Sequence, residues 1–226
     1  LSATEVTRLY QIGATSKISK TLQGRDSLTN GLVGWWTFDG PDMLTNVADS
    51  SGQGNNGSLI LGATGNTSTT TVPGRLGQAL SFDGTNDRVS ISDPGTDSVL
   101  DFNATTTISI AMWVNRANNA ILVAPLAKGS NSNYAFELTT ASKPQFFYRN
   151  SSNTQFQIFP TSAITNNVWH HLAFTYTFGV SSSAQWYIDG TAVSGSWTSG
   201  TGNQDPRPND LALQIGRYSS SEHYSG

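Results

Sequence analysis

Short segments in which polar and apolar residues alternate make up most of this 226-residue chain, separated by clusters of glycine, asparagine, aspartate and serine. Two of the longest are residues 107–114, expected to be a central strand, and residues 168–176. Successive side chains of a strand point to opposite faces, so each segment would place its large side chains on one face. Many short strands with little helical pattern predict an all-β fold, a jelly-roll sandwich of two antiparallel sheets.

The segments also predict which strands are neighbours. Residues 78–82 and 88–91 are expected to pair as a hairpin. A second hairpin is expected over residues 185–193, because Asp189 and Gly190 suit a two-residue turn with positive φ at both positions. An antiparallel meander and a last strand are predicted at residues 121–127, 134–138, 145–149, 155–159 and 211–215.

Residues 31–40 mark the start of the predicted domain. Large apolar side chains alternate onto both faces of this stretch, which predicts a founding strand that is covered on both sides. Ser2 and Glu5 have the spacing of a capping box and predict a short helix within residues 1–10. The predicted organisation is therefore a helix and linker at residues 1–30, followed by one β domain at residues 31–226.

Composition excludes several classes of function. Only 12% of the residues are charged and the net charge is −3, so no basic surface is available for nucleic acid. No apolar run approaches the roughly 20 residues that cross a bilayer, which argues against membrane insertion. Without cysteine, there are no disulfides and no thiolate metal sites. The abundance of serine, threonine, asparagine and glycine favours an extracellular or cell-surface β protein.

Seven pieces of the chain, in order, together resemble a known family. They are Gly34-Trp-Trp-Thr-Phe-Asp39, Asp49-Ser-Ser-Gly-Gln-Gly-Asn-Asn-Gly57, Gly77-Gln-Ala-Leu-Ser-Phe-Asp-Gly84 with Val89, Ile108-Ser-Ile-Ala-Met-Trp-Val114, Trp169-His-His-Leu-Ala-Phe-Thr175, Tyr187-Ile-Asp-Gly190 and Leu213-Gln-Ile-Gly216. The chain resembles the bacterial, tandem-repeat type of laminin-G-like jelly roll, within the concanavalin A-like lectin and glucanase superfamily. The resemblance implies a concanavalin A-like sandwich.

The chain departs from this family at both ends. Such domains usually finish with a strand of the type Ile-Asp-Glu-Val-Arg-Ile-Tyr and a short helix, and no such strand appears here. Conversely, residues 1–10 look like the short helix that closes a preceding copy. The resemblance thus implies one period of a tandem array, or a fragment whose closing strand lies elsewhere. In either case a neighbouring repeat or chain is expected to supply the closing strand beside residues 34–38.

The resemblance also implies a structural calcium ion near the edge of the sandwich. The residues that it nominates are Asp39, Asp49, Asn56, Gly57 and Asp83. They offer the hard oxygen ligands that calcium prefers. The residues at 49–57 can equally form a simple turn, since glycine, asparagine and serine are common turn formers.

Aromatic side chains beside loops are the candidates for sugar contacts, because sugars stack on aromatic platforms flanked by polar groups. They are Tyr134, Tyr148, Trp197, Tyr218 and Tyr224. Each can equally anchor its loop in the core. A partner is therefore expected to be a glycan or a surface protein.

Catalysis is not expected. Retaining glycosidases need two carboxyl groups roughly 5 Å apart. The glutamates of this chain, Glu5, Glu137 and Glu222, do not lie in such a pattern. Trp169 and His171 match core positions of the family. The expected function is a non-catalytic recognition or adhesion module that binds carbohydrate. The alternatives are a structural spacer repeat in a surface stalk or an accessory domain of a larger glycan-active enzyme.

Overall fold

The computed structural model describes residues 1–15, 28, 30–43, 46–62, 70–95, 98–118, 121–129, 133–219 and 222–226. This part of the chain forms one α-helix, α1 (Ala3–Thr15), and fourteen strands. The strands are β1 Gly57–Ile60, β2 Thr71–Pro73, β3 Gln78–Leu80, β4 Arg88–Ile91, β5 Thr107–Asn115, β6 Val123–Lys128, β7 Tyr134–Leu138, β8 Pro144–Arg149, β9 Gln155–Pro160, β10 Trp169–Thr177, β11 Gln185–Ile188, β12 Thr191–Val193, β13 Gly195–Ser199 and β14 Leu213–Ile215. No helix among the described residues is long and apolar enough to cross a membrane.

The strands form two large antiparallel sheets, which confirms the all-β jelly-roll sandwich. The eight-stranded sheet has the order β1-β4-β14-β6-β7-β8-β9-β13, and the four-stranded sheet the order β12-β11-β10-β5. Strands β2 and β3 form a small separate sheet. The meander is confirmed, since β6, β7, β8 and β9 are neighbours in chain order.

Aromatic side chains from the two sheets meet in the core. The ring of Phe146 on β8 lies 4.7 Å from that of Phe174 on β10, and Phe136 on β7 lies 5.2 Å from Trp186 on β11. All four residues are 0% exposed. Burying such a side chain stabilises the fold by about 1.5–3 kcal/mol. The alternation of apolar residues in these strands therefore becomes the contact between the sheets.

The helix α1 packs on the outer side of the four-stranded sheet. Its capping box is confirmed: the Ser2 amide donates to Glu5 Oε2 at 2.7 Å, and the Glu5 amide donates to Ser2 Oγ at 3.3 Å. Val6 is fully buried against Ala173 and Tyr187. The helix extends to Thr15, beyond the predicted end, and the rest of the predicted linker up to residue 27 lies outside the described residues.

Tyr10 of α1 packs beside His171, whose imidazole is buried on the outer side of β10. Tyr10 stacks on Trp113 with ring centres 5.7 Å apart, and the His171 ring lies 5.3 Å from Trp113. His171 is 3% exposed, so it is buried as predicted, but on the outer side of the sheet and not in the core between the sheets, and Trp169 is only half-buried. Burial lowers the pKa of His171 to about 4, although the nearby Asp189 opposes that shift.

This pKa predicts a loss of stability in acid. An unfolded histidine binds a proton near pH 6.5, so the contribution of His171 is complete above pH 6.5 and is lost as the pH falls towards 4. The expected loss is about 3 kcal/mol, from about 1.36 kcal/mol per pKa unit. Urea unfolding of the wild type and of His171→Gln at pH 7.5 and 4.5 measures this loss as the difference between the pH dependences of the two proteins, because Glu137 titrates in the same range. The same pH dependence in both proteins would show that His171 does not carry the effect.

The predicted founding strand is not a strand in this structure. Residues 32–39 have no regular secondary structure, and Phe38 has a φ of 59°, outside the extended region. The Trp36 ring folds back over Gly34, where an added Cβ would lie 2.2 Å from the ring. The Trp35 amide donates to the Asp49 side chain instead of to a strand. Local side-chain hydrogen bonds thus replace a ladder here, and the closing strand beside this stretch stays a prediction.

Two expectations about strand neighbours are wrong. Strand β3 pairs with β2, whereas β4 pairs with β1 and β14, so the two segments belong to different sheets and form no hairpin. The carboxylates of Asp83 and Asp87 hold the turn between them by accepting backbone N–H groups. Strand β5 ends the four-stranded sheet and pairs with β10 alone within the described residues. An alternating pattern determines which face is buried, but not which strand lies alongside.

The hairpin of β11 and β12 is confirmed. Asp189 and Gly190 have φ values of 51° and 76°, as the predicted two-residue turn requires. The Asp189 carboxylate accepts the His171 amide at 2.9 Å and contacts His170 Nδ1 at 2.7 Å. This turn therefore also anchors the start of β10.

Candidate functional site

The eight-stranded sheet has a face that is turned away from the core, called the outer face below. Strand registers place one row of side chains across it: Ser58, Ser90, Gln214, Ala127, Ala135, Phe147, Gln157 and Ser199. A second row includes Glu137 opposite Gln145, and Phe159 opposite Ser196. Polar and small side chains dominate this face.

The centre of the outer face is closed to solvent. Glu137, Gln145 and Phe147 are 1%, 5% and 4% exposed. Gln145 Nε2 donates to Glu137 Oε2, and Gln157 Nε2 donates to Gln145 Oε1 at 3.0 Å. Tyr218 packs edge to face on Phe147 with ring centres 5.5 Å apart. These residues form a buried polar and aromatic patch at the centre of the outer face.

Burial sets the protonation of the one acidic group in that patch. It raises the pKa of Glu137 to about 7, and Glu222 acts in the same direction, whereas the hydrogen bond from Gln145 opposes the shift. Shifted carboxyl groups are common in active sites. At 1% exposure, however, this carboxyl group is out of reach of a substrate in solution.

The β9–β13 end of the outer face is open. It carries a pocket of about 290 Å³, called the Phe159 pocket, which is lined by Lys143, Phe159, Pro160, Thr161, Ser196 and Thr198. Lys143 Nζ lies 5.8 Å from the centre of the Phe159 ring, within reach of a cation–π contact. Thr161, Ser196 and Thr198 are exposed hydroxyl residues around that ring. An aromatic surface with hydroxyl groups and one ammonium group at its rim is therefore accessible here.

The structure places the five predicted aromatic residues in two environments. Tyr134, Tyr148 and Tyr224 are 3%, 0% and 5% exposed and belong to the core, where burial raises the pKa of each hydroxyl. Trp197 is half-buried and packs on the core, with its Nε1 donating to the Ser181 carbonyl at 3.3 Å. Tyr218 lies on the outer face. Of the five, Trp197 and Tyr218 thus keep surface that a ligand could contact, and ligand contact stays a prediction.

The five predicted calcium ligands lie in three places. Asp49, Asn56 and Gly57 are together: Asn56 Oδ1 accepts the Asp49 amide at 2.8 Å, and Gly57 pairs with Val47. Asp39 accepts the Gln78 amide, and Asp83 caps the turn before β4.

The Asp49 carboxylate already accepts four donors. Two come from Ser51, and the amides of Trp35 and Asn55 give the others. They use all four lone-pair positions of a carboxylate. Such hydrogen bonds are typical of a turn, which is the alternative to a calcium site that the sequence left open for residues 49–57. No group of three or more acidic or histidine side chains suited to a metal occurs among the described residues, and calcium binding stays a prediction.

Sequence reasoning missed the Phe159 pocket, although a signal for it is present. In residues 155–159 the alternation places Phe159 on the same face as Gln155 and Gln157, opposite Phe156 and Ile158. An aromatic residue on the polar face of a strand points to a surface role. The sequence does not show that Lys143 and β13 lie next to Phe159.

Solved structures with the same fold include carbohydrate-associated and receptor-binding domains. Domain 4 of AbnA, an extracellular GH43 arabinanase of Geobacillus stearothermophilus solved in complex with arabinotriose, matches with a TM-score of 0.61 and 19% identity, over 86% of this chain and 87% of that one. The botulinum neurotoxin D/C binding domain matches with a TM-score of 0.56 and 10% identity, over 84% of this chain.

A further match is the binding domain of botulinum neurotoxin DC in complex with rat synaptotagmin II, with a TM-score of 0.53 and 12% identity. This chain spans 44% of each of these two toxin domains. At such identities the matches show the fold. A search of curated protein sequences gave no significant match.

A family model agrees with the fold and covers in full four of the seven motifs of the sequence. The model of the third laminin-G type, described as the concanavalin A-like lectin/glucanases superfamily, matches residues 83–226. This range includes the meander, both strands of the Asp189 turn and the whole Phe159 pocket. The chain therefore belongs to the concanavalin A-like lectin/glucanase superfamily.

Proposed function

We propose that this chain is a non-catalytic carbohydrate-recognition module of an extracellular or cell-surface protein, and that it binds sugar in the Phe159 pocket. The observation that carries the proposal is the composition of this pocket. A half-exposed aromatic ring is surrounded by the hydroxyl residues Thr161, Ser196 and Thr198, with Lys143 above it. Sugars present apolar C–H faces and hydroxyl rims, which match an aromatic ring with polar neighbours.

The site is built on rigid elements, which favours recognition. Phe159 lies on β9 and Ser196 lies on β13, and these strands are paired with Ser196 directly opposite Phe159. The other face of β9 buries Phe156 and Ile158 in the core. The ring is thereby held in place before a ligand arrives, which lowers the entropic cost of binding. A domain of the same fold that was solved in complex with arabinotriose supports carbohydrate as the class of ligand.

Replacing Phe159 with alanine is expected to weaken glycan binding at least tenfold, because the stacking surface is lost. A tenfold change corresponds to about 1.4 kcal/mol. A glycan array with the wild type first identifies a ligand, and calorimetry with that ligand then compares the variants.

Trp169→Ala is the matched control for this prediction. Trp169 is a half-buried aromatic residue that lines a different pocket, of about 250 Å³, near the end of β5. The proposal expects Trp169→Ala to bind like the wild type. Loss of binding in Trp169→Ala with normal binding in Phe159→Ala would move the site to that second pocket. A wild type that binds no glycan would favour the spacer function instead.

Hydrolysis is the alternative function that one observation favours. The pKa of Glu137 is raised, in part by Glu222, and a carboxyl group with a raised pKa can act as a general acid. We assign Glu137 to the support of the sheet, since it is buried and bonded to Gln145. Any turnover of the identified glycan that Glu137→Gln abolishes would contradict this assignment. An accessory role beside a catalytic domain, or a place in an array with a neighbour that supplies a strand, is compatible with the same site.

A further inference from the structure

We infer that the loops at one end of the sandwich form a cation site that the chain fills with its own Lys128 ammonium group, and that this site takes a hard divalent cation when the lysine side chain is removed. The inference rests on a cage of oxygen atoms around Lys128 Nζ. It is independent of the proposed sugar site.

Oxygen atoms from three separate segments surround the ammonium group. Lys128 Nζ contacts Asp93 Oδ2, and lies 3.1 Å from Asp101 Oδ1 and 3.1 Å from the Leu211 carbonyl. It also lies 2.5 Å from the Asn209 carbonyl and 3.4 Å from Asn209 Oδ1. Two carboxylates, two backbone carbonyls and an amide oxygen are the ligand types of calcium sites.

The cage is closed and contains further unused acceptors. The side chains of Lys128 and Asp93 are 0% exposed, and that of Asp101 is 1% exposed. Among the described residues, the buried Asp101 Oδ2 has no hydrogen-bond partner. Asn133, 0% exposed, donates through Nδ2 to Asp101 Oδ1 at 3.2 Å, while its own buried Oδ1 has no partner in the described part of the chain. The site therefore holds more oxygen than one ammonium group can use.

Charge also favours a divalent ion. Two carboxylates contribute −2 and Lys128 contributes +1, so the cage has a formal charge of −1 in the wild type. Without the lysine its charge is −2, which a divalent cation would bring to zero. Because buried charge is stable only when it is paired, a cage without the lysine should bind such an ion. In the native protein, the tethered ammonium group ties the loops after β4, before β5 and before β14 with no ion from solution.

Thermal unfolding of the full chain tests this inference with two variants. Lys128→Ala opens the cage, whereas Lys128→Met fills it with an uncharged side chain of similar length. The Tm is measured in about 10 mM calcium and in chelator. This calcium concentration is roughly ten times the highest dissociation constants of extracellular calcium modules. We expect calcium to raise the Tm of Lys128→Ala by about 5 °C or more. Lys128→Met should respond no more than the wild type.

An unchanged Tm of Lys128→Ala in calcium would overturn the inference. So would a rise in Tm of equal size in Lys128→Ala and Lys128→Met. A calcium site at Asp49 would act equally in all three proteins, so the difference between the two variants isolates the cage. If Lys128→Ala folds only in calcium, that supports the inference, and failure to fold in either condition contradicts it. Adding Asp93→Asn to Lys128→Ala should abolish the response.

Discussion

Replacing Lys128 with methionine is expected to lower the free energy of unfolding by about 3–5 kcal/mol, the usual effect of breaking a buried ion pair from one side. The substitution leaves Asp93 and Asp101 buried without their cation. Burial alone would raise the pKa of Asp93, but hydrogen bonds, with that from Lys128 foremost, hold this pKa below its ordinary value. Without the lysine, the desolvation penalty of both carboxylates remains and opposes folding.

Urea unfolding at pH 7 measures this effect, and a second substitution separates charge from packing. Asp93→Asn in the Lys128→Met background removes one of the orphaned carboxylates, so it should recover part of the lost stability. A loss below about 1 kcal/mol in Lys128→Met would show that the cage is not a buried charge network. No recovery in the double variant would assign the loss to packing.

Replacing Glu137 with glutamine is expected to stabilise the protein at pH 8 by about 3 kcal/mol. The pKa of Glu137 is raised from 4.5 to about 7 by burial, with Glu222 acting in the same direction against the hydrogen bond from Gln145. Its contribution to stability is therefore complete below pH 4.5 and is lost as the pH rises through 7. The difference of about 2.5 pKa units, at about 1.36 kcal/mol each, gives the expected size. Glutamine keeps the hydrogen bond from Gln145 without ionising.

The same comparison at pH 4.5 is the control, because there the glutamic acid is mostly protonated and the variant should gain little. A gain of equal size at both pH values would refute ionisation as the cause. Glu137 and His171 have opposite effects on stability between pH 4.5 and 6.5. As the pH rises, the stabilising contribution of Glu137 is lost and that of His171 is gained. We therefore expect a nearly flat profile for the wild type, and Glu137→Gln should leave the rising profile of His171.

The faces of the strands could be predicted from the sequence with little error. Ile108 and Val114 on β5, and Leu172 and Phe174 on β10, are buried in the core as their alternation requires. The capping box of Ser2 and the Asp189 turn were also predictable. In each case the interacting atoms are close in sequence, or one face of a strand must be buried, so local chemistry is sufficient.

Sequence reasoning failed where a distant group competes with a local preference. Residues 32–39 have the pattern of a strand, yet the Asp49 carboxylate binds the Trp35 amide and Phe38 leaves the extended region. For Tyr134 and Tyr148 the sequence left both a ligand contact and a core role open, and the structure places their rings in the core. A pattern of residues does not specify which distant loop or strand packs against them.

The all-β sandwich and the inward faces of its strands follow from the sequence, because they depend on periodic burial and on local turns, and the seven motifs indicated the superfamily by resemblance. The Phe159 pocket and the charge network around Lys128 follow only from the tertiary structure. Lys143 and Ser196 meet at Phe159 from positions 16 residues before and 37 residues after it. Lys128 contacts Asp93 and Asn209, which lie 35 residues before it and 81 residues after it. Such sites form because sheet pairing brings distant segments to fixed spacing, which no local pattern encodes.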